Sequence, residues 1–226
     1  MPIFSNLLAS TPAPFDIPQI FRNFVSRWYV YLVFAVALAI LICFVIFQKK
    51  KRNNLNSTQK IVYTSIMSAL CFIANYFTFN ASEVLQISFV ATFAFIAGYC
   101  LGSGLGFTAA FLGDLICGIV APRGVYSPII GLGTGLMGFI PGVIFERFNF
   151  NGYVQTIISY LAVFIISTFF VNTLGLVLLY GFPMEVYIAQ LPIKLLTTAI
   201  NCAVSLAVIP LFPRILPKDK FFVNNK

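Results

Sequence analysis

The sequence predicts an all-α membrane protein, with a six-helix transmembrane core preceded by one extra N-terminal transmembrane helix. Three observations support this fold class. Of the 226 residues, 60% are hydrophobic and 9% are charged, whereas a typical soluble domain has about 25% charged residues. The mean hydropathy of the chain is +0.95. Apolar runs of about twenty residues, the length that crosses a bilayer, recur between short polar or glycine-containing segments.

The apolar runs divide the chain into five parts. Residues 1–27 form an N-terminal lead-in, 28–47 the extra helix, 48–60 a basic cytoplasmic linker, 61–212 the six-helix core and 213–226 a basic cytoplasmic tail. The run 28–47 is too long for the hydrophobic region of a signal peptide, and QKKKR follows it in place of a cleavage site. The six predicted core spans are 61–79, 85–101, 104–121, 127–145, 153–180 and 187–211.

The basic residues predict the orientation of the chain in the membrane. With the linker 48–60 on the cytoplasmic side, ten Lys and Arg residues lie inside and three lie outside, and Lys194 falls within a span. Cytoplasmic loops carry the excess of basic residues. We therefore predict that the N-terminus lies outside and the C-terminus lies in the cytoplasm. The ten inside residues are Lys49, Lys50, Lys51, Arg52, Lys60, Arg147, Arg214, Lys218, Lys220 and Lys226, and the three outside are Arg22, Arg27 and Arg123.

Composition and motifs argue against catalysis, a metal site and a cofactor. The chain has no histidine, which is the commonest general base and transition-metal ligand. Its five cysteines fall in separate apolar segments without the clustering that zinc or iron–sulfur sites need. It has no P-loop and no HExxH motif. We expect no enzymatic activity, and because the net charge of +8 comes from residues that flank the spans, we expect no nucleic-acid partner.

Glycines at four-residue spacing predict close helix packing in the core. They occur at Gly98, Gly102 and Gly106, and a second set follows at Gly131, Gly135, Gly138 and Gly142. Small residues at this spacing let helix backbones approach closely in lipid. The second and third core spans are separated only by GSG, which predicts a tight helical hairpin.

Three polar residues are predicted to share one layer in the outer half of the core. Asp114 lies seven residues before the expected end of its span, Lys194 lies seven residues after the expected start of the last span, and Asn172 lies eight residues before Tyr180. Ionisable residues inside a span usually face a cavity or a partner. Asp114 and Lys194 therefore either pair with each other or bind a ligand between them.

The predicted outer loops contribute the remaining candidate residues. Gln86, Arg123 and Tyr126 lie in loops above the polar layer. Amide, cationic and aromatic side chains around a concave mouth suit an amphipathic small molecule. We therefore assign Asp114, Asn172 and Lys194 to the floor of a substrate site, and place these three loop residues at its mouth.

The order of several short motifs resembles a known family. The features are ISF after the first core helix, an AGYCLG hairpin, GDLICGIVAPRGVYSP over 113–128, and VNTLGLVLLYG over 171–181. Together they resemble the substrate-binding S components of energy-coupling factor vitamin transporters, most closely the folate-type branch. The resemblance covers roughly 60–212.

The resemblance implies a multi-pass protein of a bacterial cell membrane that binds a vitamin-like molecule, with folate favoured, at its outer face. The partners it implies are a transmembrane coupling subunit and two ATPase subunits. Docking in this family uses small residues on the first core helix, and Ser65, Ser68 and Ala69 stand in that region here. Folate-type members often carry an arginine before the last helix. Leu191 stands there in this sequence, so either Lys194 substitutes for the arginine or the ligand is not a folate.

Three alternatives remain open from the sequence. In the first, the chain is an S component for another vitamin or a modified nucleobase precursor. In the second it is a secondary transporter that works alone, and in the third a membrane scaffold without a ligand.

Overall fold

A computed structural model describes residues 56–80, 86–120, 128–148, 150–172 and 184–211. The lead-in, the extra helix 28–47, residues 48–55 of the linker and the tail 213–226 lie outside the described residues. The last four residues of the predicted linker, 57–60, belong to the first described helix. The described core is helical and confirms the predicted all-α class. Its helices are α1 Ser57–Tyr76, α2 Val90–Leu101, α3 Ser103–Val120, α4 Pro128–Arg147, α5 Gly152–Val163, which continues as a π-helix over Phe164–Asn172, and α6 Met184–Val208, which ends in a 3-10 turn over Ile209–Leu211.

The connection between α1 and α2 contains a small antiparallel ladder. Strand β1 is Phe79–Asn80 and strand β2 is Gln86–Ile87. Phe79 lies opposite Ile87 in the register. The predicted span 85–101 is therefore wrong at its start, because its first residues pair as a strand and α2 begins only at Val90. A continuous apolar run does not by itself distinguish a strand from a helix.

Helix α2 is consequently much shorter than its neighbour α3. The two helices are joined by Gly102 alone, which has a φ of 89° that favours glycine. At 1.5 Å per residue, the twelve residues of α2 span about 18 Å and the eighteen of α3 about 27 Å. Helix α3 therefore continues roughly six residues beyond the start of α2. The predicted tight hairpin is confirmed.

Glycines bring the backbones of α2, α3 and α4 into contact. A β-carbon at Gly106 would lie 2.5 Å from the Cα of Gly98 and 2.9 Å from the carbonyl oxygen of Gly138. One at Gly142 would meet the backbone of Ser103. Glycine-mediated packing is thus confirmed, and it makes these three helices the centre of the bundle.

The core carries its apolar side chains outward and several polar side chains inward. Ile61 is 68% exposed and Ile119 is 71% exposed, whereas Thr156, Ser159 and Ser167 are fully buried. Three described helical stretches are long and apolar enough to cross a membrane, namely Ser103–Val120, Gly152–Phe169 and Gln190–Val208. This pattern is that of a multi-pass membrane protein.

The two ends of the bundle are distinguished by their connections. One end, which we call the hairpin end, carries the β1–β2 hairpin between α1 and α2. At this end α1 and α3 end, and α2, α4 and α6 begin. At the opposite end, which we call the Gly102 end, α2 turns into α3. There the carboxylate of Glu146 accepts hydrogen bonds from the backbone N–H and the hydroxyl of Ser103, at 2.9 and 3.0 Å. These bonds satisfy a donor at the start of α3.

Candidate functional site

Asp114 is held at the hairpin end by side chains from two other helices. It lies on α3, six residues before Val120, and is half-buried. The side-chain amide of Asn75, near the end of α1, donates a 2.7 Å hydrogen bond to its Oδ1 atom. The hydroxyl of Thr134 on α4 interacts with the same carboxyl group. A carboxylate offers about four acceptor positions, so these contacts fix the group while leaving it able to accept further donors.

The Thr134 contact is shared with the helix backbone. Its hydroxyl oxygen also lies 3.2 Å from the carbonyl oxygen of Ile130, one turn earlier on α4. A hydroxyl has a single proton to donate. The hydroxyl of Thr134 therefore bonds the carbonyl of Ile130, and Asn75 is the side chain that donates to Asp114 at a hydrogen-bond distance.

Asp114 lies level with the beginning of α2. Val90 precedes Gly102 by twelve residues, and Asp114 follows it by twelve. Because the two antiparallel helices rise equally per residue from their common turn, the first residue of α2 and the carboxylate of α3 occupy the same height. The first residue of α2 and Asp114 therefore define one level in the hairpin-end half of the core.

Lys194 belongs to the inner face of α6. It is half-buried and lies seven residues before the buried Asn201, which places both on one side of the helix. Leu195 and Leu196, rotated by about 100° and 200° around the helix from Lys194, are 53% and 62% exposed. Lys194 therefore faces the bundle, as expected for an ionisable residue within a span.

Asp114 and Lys194 were predicted to lie at equal depth, and the contacts of Asn201 bear on the position of Lys194. Helix α6 begins at Met184, three residues earlier than predicted. The side chain of Asn201 hydrogen-bonds the carbonyl of Ser88 beside the start of α2. Lys194 is seven residues closer to the hairpin end than Asn201, or about 10 Å at 1.5 Å per residue. For helices that run parallel, this rise favours a position of Lys194 nearer the hairpin end than Asp114, and their equal depth stays a prediction.

The two ionisable residues also belong to different helix groups. Helix α3 packs against α1, α2 and α4, whereas α6 packs mainly against α2 and α5. The polar partners of Asp114 are Asn75 and Thr134. Of the two possibilities that the sequence left open, direct pairing of Asp114 with Lys194 is not observed in the described part of the chain.

A second polar cluster joins α2, α5 and α6. The hydroxyl of Thr92 donates to Oδ1 of Asn201 at 2.6 Å, and the hydroxyls of Tyr160 and Ser205 lie 2.6 Å apart. The side-chain amide of Asn201 donates to the carbonyl oxygens of Ser88 and Thr197, at 3.0 and 2.8 Å. This cluster lies directly beneath the start of α2.

The other predicted substrate residues are placed only in part. Gln86 lies in strand β2 and Asn172 is the last residue of the π-helix; their side chains lie outside what the structure describes. Arg123 and Tyr126 lie outside the described residues. All four remain predictions.

The predicted docking residues separate into two groups on α1. Ser65 and Ala69 are exposed. Ser68 is 4% exposed, and a β-carbon at Gly113 of α3 would lie 2.8 Å from its carbonyl oxygen. Ser68 therefore packs inside the bundle, and only Ser65 and Ala69 are available to a partner helix.

Sequence reasoning missed Asn75, Thr134 and the cluster around Asn201. Asn75 and Asn201 are amide residues inside otherwise apolar spans, and buried polar groups are nearly always hydrogen-bonded, so each signalled a partner. Their partners lie 39 and 109 residues away along the chain, a distance that no local pattern bridges. Thr134 resembled one more small residue in a glycine-rich helix.

Comparisons with known proteins identify the family and the fold. The family model described as "ECF-type riboflavin transporter, S component" matches residues 54–212. Two solved structures share the fold. "Crystal structure of FolT bound with folic acid" is 19% identical with a TM-score of 0.58, covering 71% of this chain and 95% of that one. "Structure and mechanism of the S component of a bacterial ECF transporter" is 16% identical with a TM-score of 0.57, covering 72% and 99%. Among curated proteins none matches.

Proposed function

Because the chain belongs to the family of ECF-type riboflavin transporter S components, we propose that it is the substrate-capturing membrane subunit of an ATPase-driven importer. In this proposal the protein binds a vitamin-like molecule at the outer face of the cell membrane. It then delivers that molecule together with a transmembrane coupling subunit and two ATPase subunits. The hairpin end of the core faces outward, as the distribution of basic residues predicts.

The observation that carries the proposal is the carboxylate of Asp114 at the level where α2 begins. It is oriented by Asn75 from α1, at 2.7 Å. A carboxylate inside a span is costly and is typical of a substrate pathway or ligand site. In the proposed site, Lys194 supplies a cation from α6 on the hairpin-end side of this level. The site therefore offers an acceptor at its floor and a cation nearer its opening.

This order of charges favours folate as the ligand. The pterin ring of folate presents an edge of N–H donors, which suits the carboxylate of Asp114 at the floor. The glutamate end of folate carries two carboxylates, which suit Lys194 and, from the mouth, Arg123. Gln86, Tyr126 and Asn172 complete the proposed site as amide and aromatic contacts.

Riboflavin is the second candidate, because the matching family model bears its name. Its ring also presents an N–H donor toward an acceptor such as Asp114, but the molecule has no carboxylate that requires a cation. Lys194→Ala therefore discriminates between the two ligands. It should weaken binding of folic acid strongly and binding of riboflavin little.

Binding and uptake measurements test the proposal in two steps. The full chain, purified in lipid nanodiscs, is titrated calorimetrically with folic acid and with riboflavin, and small molecules carried through purification are identified by mass spectrometry. Uptake is then measured in proteoliposomes with and without the coupling subunit and ATPases. We expect saturable binding by the chain alone and uptake only with the complete complex. Uptake by the chain alone would instead establish a secondary transporter.

A further inference from the structure

Asn201 joins the helix that carries Lys194 to the first turn of α2. It is 1% exposed and makes three hydrogen bonds. One joins it to the hydroxyl of Thr92 on α2, and one to the carbonyl of Ser88, just before α2. The third goes to the carbonyl of Thr197 on its own helix. An asparagine side chain can make about four hydrogen bonds, so Asn201 is nearly saturated.

The hydrogen bond from Asn201 to the carbonyl of Ser88 replaces one that a helix backbone would otherwise supply. In a continuing α-helix this carbonyl would accept from the N–H of Thr92, four residues later. That N–H instead bonds the carbonyl of Phe89, at 3.0 Å. In a membrane interior an unsatisfied backbone carbonyl costs several kcal/mol. Asn201 supplies the missing donor from α6, and Ser88 follows strand β2 directly.

A second contact one turn along α6 reinforces the first. Ser205, four residues after Asn201 and on the same face, bonds the hydroxyl of Tyr160 on α5 at 2.6 Å. That hydroxyl lies 3.4 Å from the carbonyl oxygen of Ala91 and also interacts with Thr92. The first turn of α2 is therefore held from two sides by a connected, buried network.

We propose that Asn201 is a positioning residue that locks the floor of the substrate site to the wall that carries Lys194. This inference rests on the proposed function for its consequence in binding, but not for its consequence in the protein alone. Lys194 and Asn201 share one face of α6, seven residues apart, and Asn201 holds the segment that lies level with Asp114. Through this side chain, the two ionisable residues keep a fixed separation although their helices are not close neighbours.

The test uses two matched threonine substitutions and one rescue. Thr92→Val removes the hydroxyl that serves Asn201, while keeping the shape of the side chain. Thr156→Val is its control, because Thr156 is also buried and, among the described residues, its hydroxyl bonds the carbonyl of Gly152 in its own helix. Thr92→Ser keeps the hydroxyl and should behave like the unmodified protein. Asn201→Ala removes the proposed positioning side chain itself. If Asn201→Ala does not fold, Thr92→Val still tests the proposal.

The first readout is hydrogen exchange of the ligand-free protein in nanodiscs. We expect the amides of residues 91–95 to exchange at least tenfold faster in Thr92→Val, equivalent to about 1.4 kcal/mol of lost protection. Thr156→Val and Thr92→Ser should leave these amides unchanged. Unchanged exchange in Thr92→Val, or an equal increase in Thr156→Val, would overturn the proposal.

The second readout is the Kd for folic acid, with riboflavin as the alternative probe. Loss of preorganisation should raise the Kd of Thr92→Val at least fivefold relative to Thr156→Val, because ordering the site then opposes binding. If neither probe binds the unmodified protein, the ligand assignment of the proposed function fails while the exchange experiment still decides the role of Asn201. Faster exchange with an unchanged Kd would contradict the positioning role.

Discussion

The side-chain amide of Asn75 donates a hydrogen bond to the carboxylate of Asp114 and thereby joins the end of α1 to the hairpin-end half of α3. Nδ2 and Oδ1 are 2.7 Å apart, a length typical of a hydrogen bond to a charged acceptor. The same two helices meet beside this bond, where a β-carbon at Gly113, the residue before Asp114, would lie 2.7 Å from that of Cys71, one turn before Asn75. Close backbone packing therefore brings the amide within reach of the carboxylate.

A double-mutant cycle on Asn75 and Asp114 measures this contact. We expect Asn75→Leu to lower the free energy of unfolding by about 1.5–3 kcal/mol, because a partly buried carboxylate loses its donor. In an Asp114→Leu background the same change should cost much less. Thermal unfolding in a fixed detergent gives the four values. Additive effects of the two substitutions would show that the hydrogen bond contributes little.

The helical core and the tight α2–α3 hairpin followed from local patterns, whereas the pairing of polar residues did not. Apolar runs predict the lengths of helices, and glycine spacing predicts the close approach of helix backbones. Both patterns are formed by residues that are near one another in the sequence. The length of α2 was mispredicted because Gln86 and Ile87 satisfy their backbone groups with β1, a tertiary choice that hydrophobicity does not encode. That error placed the start of α2 at residue 85 in place of Val90.

Of the predicted polar layer, the structure describes the side chains of Asp114 and Lys194, and both are half-buried. Asp114 and Lys194 both lie inside the bundle, because the cost of a charge in lipid forces them inward. Their direct pairing was one of two open possibilities, and the sequence lacked the helix neighbours needed to decide. The donor that stabilises Asp114 comes from α1, and only the three-dimensional arrangement identifies it.

A glycine substitution tests the centre of the bundle. In Gly106→Ala the new methyl group would meet the backbone of both α2 and α4, at 2.5 and 2.9 Å, and neither backbone can move independently. We expect a loss of at least about 1–3 kcal/mol in unfolding free energy, as for an overpacked core. The matched control is Gly152→Ala, because a β-carbon there meets nothing within 4 Å. Equal melting temperatures for the two variants would contradict the close packing.

The exposed small residues of α1 provide a test of partner docking. Ser65→Trp and Ala69→Trp should block assembly with the coupling subunit, since a bulky side chain prevents close helix approach. Ligand binding by the chain alone should be unchanged. Leu161→Trp, on an exposed site of α5 that is 56% accessible, is the control and should assemble normally. Copurification with a tagged coupling subunit is the measurement, and normal assembly of both α1 variants would exclude this face as the docking surface.

The orientation of the chain is tested by thiol labelling. In a background without the native cysteines, Pro12→Cys should react with a membrane-impermeant reagent from outside the cell. Leu55→Cys should react only after the membrane is permeabilised, because the basic linker is predicted to be cytoplasmic. Reversed labelling would place the hairpin end, and with it the proposed site, on the cytoplasmic side.

Substitution of the two ionisable residues is the most direct test of the ligand site. Asp114→Asn keeps the shape of the side chain but removes its charge, and Lys194→Ala removes the cation. Each should weaken binding of the cognate ligand at least tenfold, or by about 1.4 kcal/mol, except that Lys194→Ala should spare riboflavin if riboflavin is the ligand. Calorimetric titration gives the affinities, and thermal unfolding shows whether the fold is retained. The carboxylate of Asp114 has acceptor positions beyond the one that Asn75 occupies. Its loss should therefore lower the affinity for the ligand more than the free energy of unfolding. Normal affinity together with early unfolding in both variants would instead identify Asp114 and Lys194 as structural residues.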